Sequence, residues 1–380
     1  MILKNYTFSV VVTAVLTACS GGGGAIVVND GIAATDSVSL QRIDTLTLHI
    51  GNRIRPIPTC SQLLDDSISA KYIILDEQKL NIFDLDADSL IEVVDVHKCG
   101  GLQNYSGFYC APDGKKYLYN YGSKIFFELD TAGVVSKTYQ IPENLLKKVS
   151  PEPIDGSRII VENGTAILSG LPMSGKSRFY KEDPVSVMID LQAGTIIPGA
   201  SFSDEYSKAF FGGLYFNTIY QCKGDNKKIV YSFPASNYIY RYDTDLHMID
   251  SLYMGSRYTK EIMPENSNPI NILRDKDARL KYYLDENSYS VIAFDEYNGL
   301  YYRIANHPRK VDRGENYRHP FSIIVMDTEG NLISETPVVE DYYNIVTCNC
   351  HIYRGGLLLQ LISEDEDEMK FVYYKLTPQP

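Results

Sequence analysis

From Val38 to Tyr374 the chain is written in short runs in which apolar positions alternate with polar ones, broken by clusters of Gly, Asp, Asn and Ser. A period of two sends successive side chains to opposite faces of a strand, so these runs predict half-buried β-strands. Many of the apolar positions are β-branched or aromatic, which suits a pleated surface. A helical period is legible in one place, around Asn268–Leu284. One unit recurs: an alternating strand, an Asp near its end, a short polar turn, and a second strand. It reads "NIFDLDADSLIEVVDV", "KIFFELDTAGVVSKTYQI", "VSVMIDLQAGTIIPGAS", "YIYRYDTDLHMIDSLYM" and "SIIVMDTEGNLISETPVV". The aligned acids are Asp86, Asp130, Asp190, Asp243 and Asp327. Each stands where a hairpin turn begins, and a carboxylate there accepts from the turn's backbone N–H groups. They are read as turn acids.

Repeats of about 40–60 residues with four short strands each are the signature of a β-propeller. The chain therefore reads as all-β, a single propeller over residues 38–380. Six blades are counted, and seven is the alternative because the fifth unit is irregular. The last blade, "YNIVTCNCHIY", "GGLLLQLI" and "KFVYYKL", runs out of chain after three strands. The spare segment Ser39–Ile50 is expected to supply the fourth, closing the ring and removing an exposed sheet edge.

The N-terminal residues read as an address. Lys4 gives a basic start, and Phe8–Leu16 is an apolar core too short to span a bilayer. Leu16-Thr17-Ala18-Cys19 resembles a bacterial lipobox. That resemblance implies a signal peptide over residues 1–18, lipidation at Cys19, and a Gly-rich tether over residues 19–37. Acyl chains on Cys19 would make the membrane a partner. "SGGGG" after Cys19, in place of the acidic residues that mark surface export, favours an outer-membrane protein facing the periplasm. Net charge is −12, and with export this argues against nucleic-acid partners. Besides Cys19 there are Cys60, Cys99, Cys110, Cys222, Cys348 and Cys350. Their spacing selects no pairing, and they read as buried and inert. Cys348 and Cys350 are expected on one face of a strand.

"GLPMSGKS", Gly170–Ser177, fits the phosphate-binding loop pattern letter for letter. A phosphate loop must open a helix, whose N-terminus supplies part of the anion site. Here Pro184 follows closely and "VSVMID" reads as a strand, so no nucleotide is expected. No cofactor or metal is expected either. No H-x-x-x-H or H-E-x-x-H pair and no G-x-S-x-G elbow occurs.

The long insertions, Leu171–Asp183, Gly255–Asn287, Asn306–His319 and Ser363–Glu368, fall between second and third strands or between blades. All four are therefore expected on one face, where loops on a rigid scaffold bind. Leu171–Asp183 and Asn306–His319 are net basic, whereas "SEDEDE" is acidic. The candidate ligand contacts are Lys176, Arg178, Tyr301, Tyr302, Arg303, His307, Arg309, Arg313, Tyr317, Arg318 and His319. Arginines and tyrosines together suit an anionic small molecule or a glycan, and the same face suits a partner protein. The competing account is a solvated loop whose arginines pair with the acidic hairpin.

Ser236–Asp245, Phe294–Pro308 and Ser322–Glu335, with the lipobox and the repeats, resemble an uncharacterised family of Bacteroidota lipoproteins carrying domain of unknown function 4221. The resemblance implies export and a propeller-like fold and no particular chemistry. Three functions stay open: a non-catalytic binding module, a carbohydrate- or lactone-active enzyme with carboxylates at the channel mouth, and an envelope scaffold.

Overall fold

The alternating runs do form strands, and neighbouring strands pair in chain order. The computed structural model describes residues 38–51, 54–66, 68–96, 105–173, 183–259, 261–265, 272, 274–309, 318–338 and 342–378. Cys19, Cys99, Lys176, Arg178, Arg313 and Tyr317 lie outside the described residues.

After β1 (Val38–His49), blade 1 comprises β2 (Ser61–Asp65), β3 (Ala70–Asp76), β4 (Lys79–Asp84) and β5 (Ser89–Asp95). Blade 2 comprises β6 (Tyr105–Cys110), β7 (Lys116–Asn120), β8 (Ile125–Leu129) and β9 (Val135–Gln140), and α1 (Glu143–Leu146) leads out of it. In blade 3 the inner position is split between β10 (Val149–Pro151) and β11 (Ile160–Glu162). Both pair with β12 (Thr165–Pro172), followed by β13 (Ser186–Asp190) and β14 (Ile196–Pro198). The next crossing carries α2 (Glu205–Lys208) and α3 (Leu214–Asn217). Blade 4 comprises β15 (Tyr220–Lys223), β16 (Ile229–Ser232), β17 (Tyr238–Tyr242) and β18 (Met248–Tyr253), followed by α4 (Lys276–Asp285). Blade 5 comprises β19 (Ser288–Asp295), β20 (Leu300–Asn306), β21 (Phe321–Asp327) and β22 (Leu332–Val338). Blade 6 comprises β23 (Ile345–Tyr353), β24 (Gly356–Leu361) and β25 (Glu368–Pro378), and β1 completes it. Val38 pairs with Pro378 and His49 with Glu368, so the expected closure holds along the whole strand. Among the described residues the ring has six antiparallel blades and no seventh.

The core lies between blades. Each middle strand is covered on both faces, so neighbouring positions are buried together: Ile323, Ile324 and Val325 in β21, and Leu357, Leu358 and Leu359 in β24. Such strands read as continuous apolar runs and give a weaker alternation than the outer ones. Truncating one of these residues to Ala costs about 2–5 kcal/mol.

Antiparallel order puts the second-to-third hairpins and the interblade crossings on one face, the loop-rich face. The remaining turns make the opposite, plain face. The four insertions join β12 to β13, β18 to β19, β20 to β21 and β24 to β25, so all four belong to the loop-rich face. The crossing through α2 and α3 joins them there and had no clear signal in the sequence. The Asp275 carboxylate caps α4 by accepting from the Asp277 and Ala278 N–H groups, each at 3.0 Å.

Four of the five turn acids act as read. The Oδ1 atoms of Asp130, Asp190, Asp243 and Asp327 each accept from two turn N–H groups. Asp86 does not. Asp84 holds that turn, while Asp86 accepts from the Tyr353 hydroxyl and Arg354 Nη2, both at 2.8 Å, tying blade 1 to blade 6.

Gly170 lies within β12 under a tight strand approach. A Cβ there would stand 2.8 Å from the Ser150 carbonyl oxygen and 2.6 Å from Val149 Cγ2. Interstrand packing thus accounts for the first glycine of the phosphate-loop look-alike. Cys60, Cys110 and Cys350 are buried and free, and burial pushes each thiol up to about 12. Cys222 is free and partly buried. Cys348 departs from the expectation: β23 is irregular between Val346 and Cys350, so Cys348 is exposed while Cys350 is buried.

Candidate functional site: a plugged central channel

Inner strands of a propeller surround an axial channel. In blade 3 the inner strand is interrupted between β10 and β11, and residues 152–159 turn into that channel. The turn is narrow, with Ile154 and Ser157 bridged and Gly156 at φ +83°. A Cβ on Gly156 would stand 2.9 Å from Val291 Cγ2 and 3.2 Å from the Tyr220 ring, so only glycine fits between blades 4 and 5. On the other side, Pro153 lies where a Cβ on Gly107 of blade 2 would go, at 2.6 Å.

Polar contacts fix this plug to the remaining blades. The Asp155 carboxylate accepts from the Ser61 N–H at 2.8 Å. Arg158 donates from Nε to the Ser61 carbonyl at 2.6 Å and from Nη1 to the Cys350 carbonyl at 2.9 Å. Its Nη2 is 3.3 Å from Asp155 Oδ1. Gln221 of blade 4 donates from Nε2 to the Arg158 carbonyl at 2.8 Å. Burial raises the Asp155 carboxyl above its ordinary value, and Arg158 and the Ser61 N–H pull against this. The plug therefore touches all six blades.

Beside it lies a grouping of catalytic residue types. Ser61 Oγ is 3.2 Å from His351 Nε2, 3.2 Å from both Asp155 oxygens and 2.8 Å from Asn349 Oδ1. The geometry is not that of a nucleophile and base. His351 Nε2 lies 2.6 Å from Asn349 Oδ1, which makes that nitrogen the donor and leaves it no lone pair for Ser61. The acid bonds the serine instead of the far imidazole nitrogen, as a triad would need. Ser61 is fully buried, and burial with the nearby Arg158 charge keeps His351 neutral. Asn349 Nδ2 donates to the Tyr72 hydroxyl at 2.9 Å and to Gln360 Oε1 at 2.6 Å, which completes a closed structural network.

Above the plug, toward the loop-rich face, the channel mouth is aromatic. Tyr220 packs on Gly156. Tyr215 of α3 stacks on Tyr283 of α4 with centroids 4.6 Å apart and planes at 17°. His319 meets Tyr283 edge-on at 4.5 Å. Cys348 lies within electrostatic reach of Tyr220, Tyr283 and Arg318. Cys348 is exposed to solvent yet closely surrounded by protein, and that desolvation with the Asp155 charge pushes its thiol up to about 11, so it is not an activated thiolate.

The structure separates the sequence-predicted contacts. Arg318, half-buried, donates from Nη1 to the Tyr343 carbonyl and lies near this mouth. Arg309, also half-buried, is held by its backbone N–H on the Leu284 carbonyl at 2.8 Å. The other described candidates are interior, which corrects their reading as surface contacts. Tyr301 and Tyr302 point between blades, and the Tyr301 hydroxyl donates to Asp225. Arg303 is fully buried over the Tyr289 ring, 3.8 Å from its centroid. It donates to Ser232 Oγ and to the carbonyls of Met254, Phe233 and Ser236 at 2.8–3.2 Å. His307 and His319 are buried, and burial lowers both to about 4. His319 Nδ1 donates to the His307 carbonyl at 2.9 Å, and His307 Nε2 pairs with Ser322 Oγ at 3.0 Å. The strand period could have flagged the tyrosines, because "LYYRIAN" is a middle strand covered on both sides.

The acidic hairpin does not neutralise the described arginines. Its Glu368 pairs with His49 at 3.2 Å and Lys370 at 3.1 Å. Asp243, Asp245 and His247 bring metal-ligand types within 4.8 Å in an exposed turn of the plain face, where Asp243 already serves backbone N–H groups. Among the described residues no helix is long and apolar enough to cross a membrane.

Six four-stranded blades around a plugged channel define a β-propeller. The model for the domain of unknown function DUF4221 matches residues 37–337, and the chain belongs to that family. The chain is similar to a crystal structure of a DUF4221 family member from Bacteroides vulgatus, at 16% identity with a TM-score of 0.76, covering 91% of this chain and 100% of that one. Weaker likenesses include the hydrazine synthase of Kuenenia stuttgartiensis, at 12% identity and a TM-score of 0.45, covering 82% of this chain and 76% of that one. Virginiamycin B lyase from Staphylococcus aureus gives 12% identity and a TM-score of 0.40, covering 90% and 99%. No curated protein matches.

Proposed function

We propose that the protein is a membrane-anchored, non-catalytic binding module that holds a flat anionic ligand, such as an acidic sugar, at the channel mouth of its loop-rich face. The observation that carries this is the Tyr215–Tyr283 stack. Two separate interblade crossings each send a half-buried tyrosine to one point, where Tyr283 also meets His319, the chain neighbour of Arg318. Aromatic faces take the apolar face of a sugar ring, and a guanidinium takes a carboxylate in a bidentate pair. The closed bonding of Ser61, Asp155 and His351 speaks against chemistry in the channel.

The anchor is compatible with this orientation. β1 enters the ring at the plain face, since Val38 pairs with the chain end while His49 pairs beside the acidic hairpin. A lipid on Cys19 would hang the propeller by its plain face and turn the loop-rich face away from the membrane. Calorimetric titration with oligogalacturonate tests the reading. Binding is expected in wild type and lost by at least tenfold in Arg318→Ala and Tyr283→Ala. Absence of binding to oligogalacturonate, inorganic phosphate and neutral oligosaccharides alike would overturn it.

A further inference from the structure

Below the plug, toward the plain face, the inner strands of all six blades surround a cavity of about 250 Å³. It has room for about eight waters at ~30 Å³ each, and so for one six-membered ring with its substituents. Gly156 and Ile159 of the plug line its inner end. Leu63 of blade 1 and Ile352 of blade 6, both half-buried, make one side of the wall apolar. Phe294 of blade 5 adds a half-buried aromatic ring.

The polar side is a crescent at the mouth, formed by Tyr109 of blade 2, Lys223 of blade 4 and Glu296 of blade 5. Lys223 Nζ is 3.0 Å from Glu162 and 3.7 Å from Glu296. The second distance is an ion pair too long for a hydrogen bond. The Lys223 and Glu296 side chains are 39% and 68% exposed, so both can be reached from solvent. Glu162 is already held on both oxygens, by Lys223 and by Lys227 at 3.2 Å. Among the described residues nothing donates to the Glu296 carboxylate, and the Lys223 ammonium has an N–H to spare. The half-buried Tyr109 hydroxyl bonds to none of these residues either. Burial and the Glu162 and Glu296 charges push it up to about 12, so it stays protonated and can donate as well as accept.

We propose that this cavity is a second binding site, for a neutral cyclic polyol: a single sugar ring with adjacent hydroxyls. Two such hydroxyls enter the loose Lys223–Glu296 pair, one accepting from the ammonium and the next donating to the carboxylate. Tyr109 takes a third hydroxyl, and the C–H face of the ring lies against Phe294 and Ile352. A ligand with a net charge is disfavoured, because Glu162 and Glu296 already balance Lys223 and Lys227, and a further ion would be desolvated without a partner of its own. The site lies on the far side of the plug from the loop-rich mouth and does not depend on the reading given for that mouth.

Saturation-transfer NMR with the methyl glycosides of glucose, galactose and mannose tests it. At least one is expected to bind wild type. Cyclohexanol, which has no adjacent hydroxyl, and galacturonate, which adds a charge, are each expected to displace it at least tenfold more weakly than it displaces itself. Glu296→Ala changes an exposed side chain and is expected to weaken binding at least fivefold. Ala293→Phe, which fills the cavity from β19, is expected to abolish it, and should that variant not fold, Ala293→Leu replaces it with a loss of at least fivefold. Arg318→Ala, at the other mouth, is expected to leave binding unchanged. No glycoside binding in wild type, equal displacement by cyclohexanol or galacturonate, unchanged binding in Glu296→Ala or in a folded cavity-filled variant, or binding lost in Arg318→Ala each overturns the proposal.

Discussion

The Ser61 N–H donates to the Asp155 carboxylate at 2.8 Å, joining the innermost strand of blade 1 to a loop 94 positions further along. Together with Arg158 it converts the open axis of a ring into a fixed centre. Removing the carboxylate leaves Arg158 and the Ser61 N–H without a partner. Asp155→Ala is therefore expected to cost about 3–5 kcal/mol in denaturant unfolding, as for a broken buried ion pair. Oligogalacturonate affinity of the folded fraction should be unchanged. A loss of affinity at unchanged stability would make Asp155 a ligand contact instead.

Arg303 is expected to behave as a core residue. Burial lowers its pKa to about 10, so it stays charged at neutral pH and depends on three carbonyls, one hydroxyl and the Tyr289 face. Arg303→Ala opens a cavity and strips those acceptors, with an expected cost above about 3 kcal/mol. The urea midpoint measures it. A stable variant with altered ligand binding would restore the surface reading.

His307 and His319 make stability pH-dependent. Both are lowered by burial to about 4 from an ordinary 6.5. Between those values the unfolded chain takes up protons that the folded chain refuses. Their contribution is thus complete above pH 6.5 and is lost as pH falls toward 4. Each ring contributes at most about 1.4 kcal/mol per pH unit across that window. Glu335, bonded to the same Ser322, is raised by burial and runs the other way. The double variant His307→Gln, His319→Gln is therefore expected to flatten the fall in unfolding free energy from pH 7 to pH 5. An unchanged slope would place the histidines outside the linkage.

Gly156 and Gly170 separate packing from phosphate binding. Gly156→Ala meets both the positive φ and the Val291 contact, and should cost about 1–3 kcal/mol. Gly170→Ala must push Val149 or the Ser150 carbonyl and should also lower the melting temperature by several degrees. Lys176→Ala should leave it unchanged. A Mg²⁺-dependent nucleotide affinity that vanishes in Lys176→Ala would reverse this account of the motif.

Much of the ring was legible before any coordinates. The Asp-turn repeat gave the blade boundaries, because a short hairpin needs a carboxylate or glycine at a set place. The orphan strand at Ser39–Ile50 announced its own use, since a three-stranded last blade leaves an edge unpaired. The face of each insertion followed from antiparallel counting alone. The interior was less legible. Tyr301, Tyr302 and Arg303 look like an accessible aromatic and basic cluster, yet β20 is sandwiched by its neighbours and both of its faces are buried. Asp86 aligned with the turn acids, but its turn is held from Asp84, which freed Asp86 to reach blade 6. Tyr215 and Tyr283 are 68 positions apart, and no local pattern links them.

Strand period and turn residues, both local properties, determined the class, the ring closure and the loop-rich face, and left the blade count between six and seven. Only the tertiary structure decided what fills the axis. Residues 152–159 carry no strand pattern, and their meaning lies in contacts to six blades spread over the whole chain. Burial then closed Ser61, Asp155 and His351 on one another, a relation between residues up to 290 positions apart that no local pattern carries.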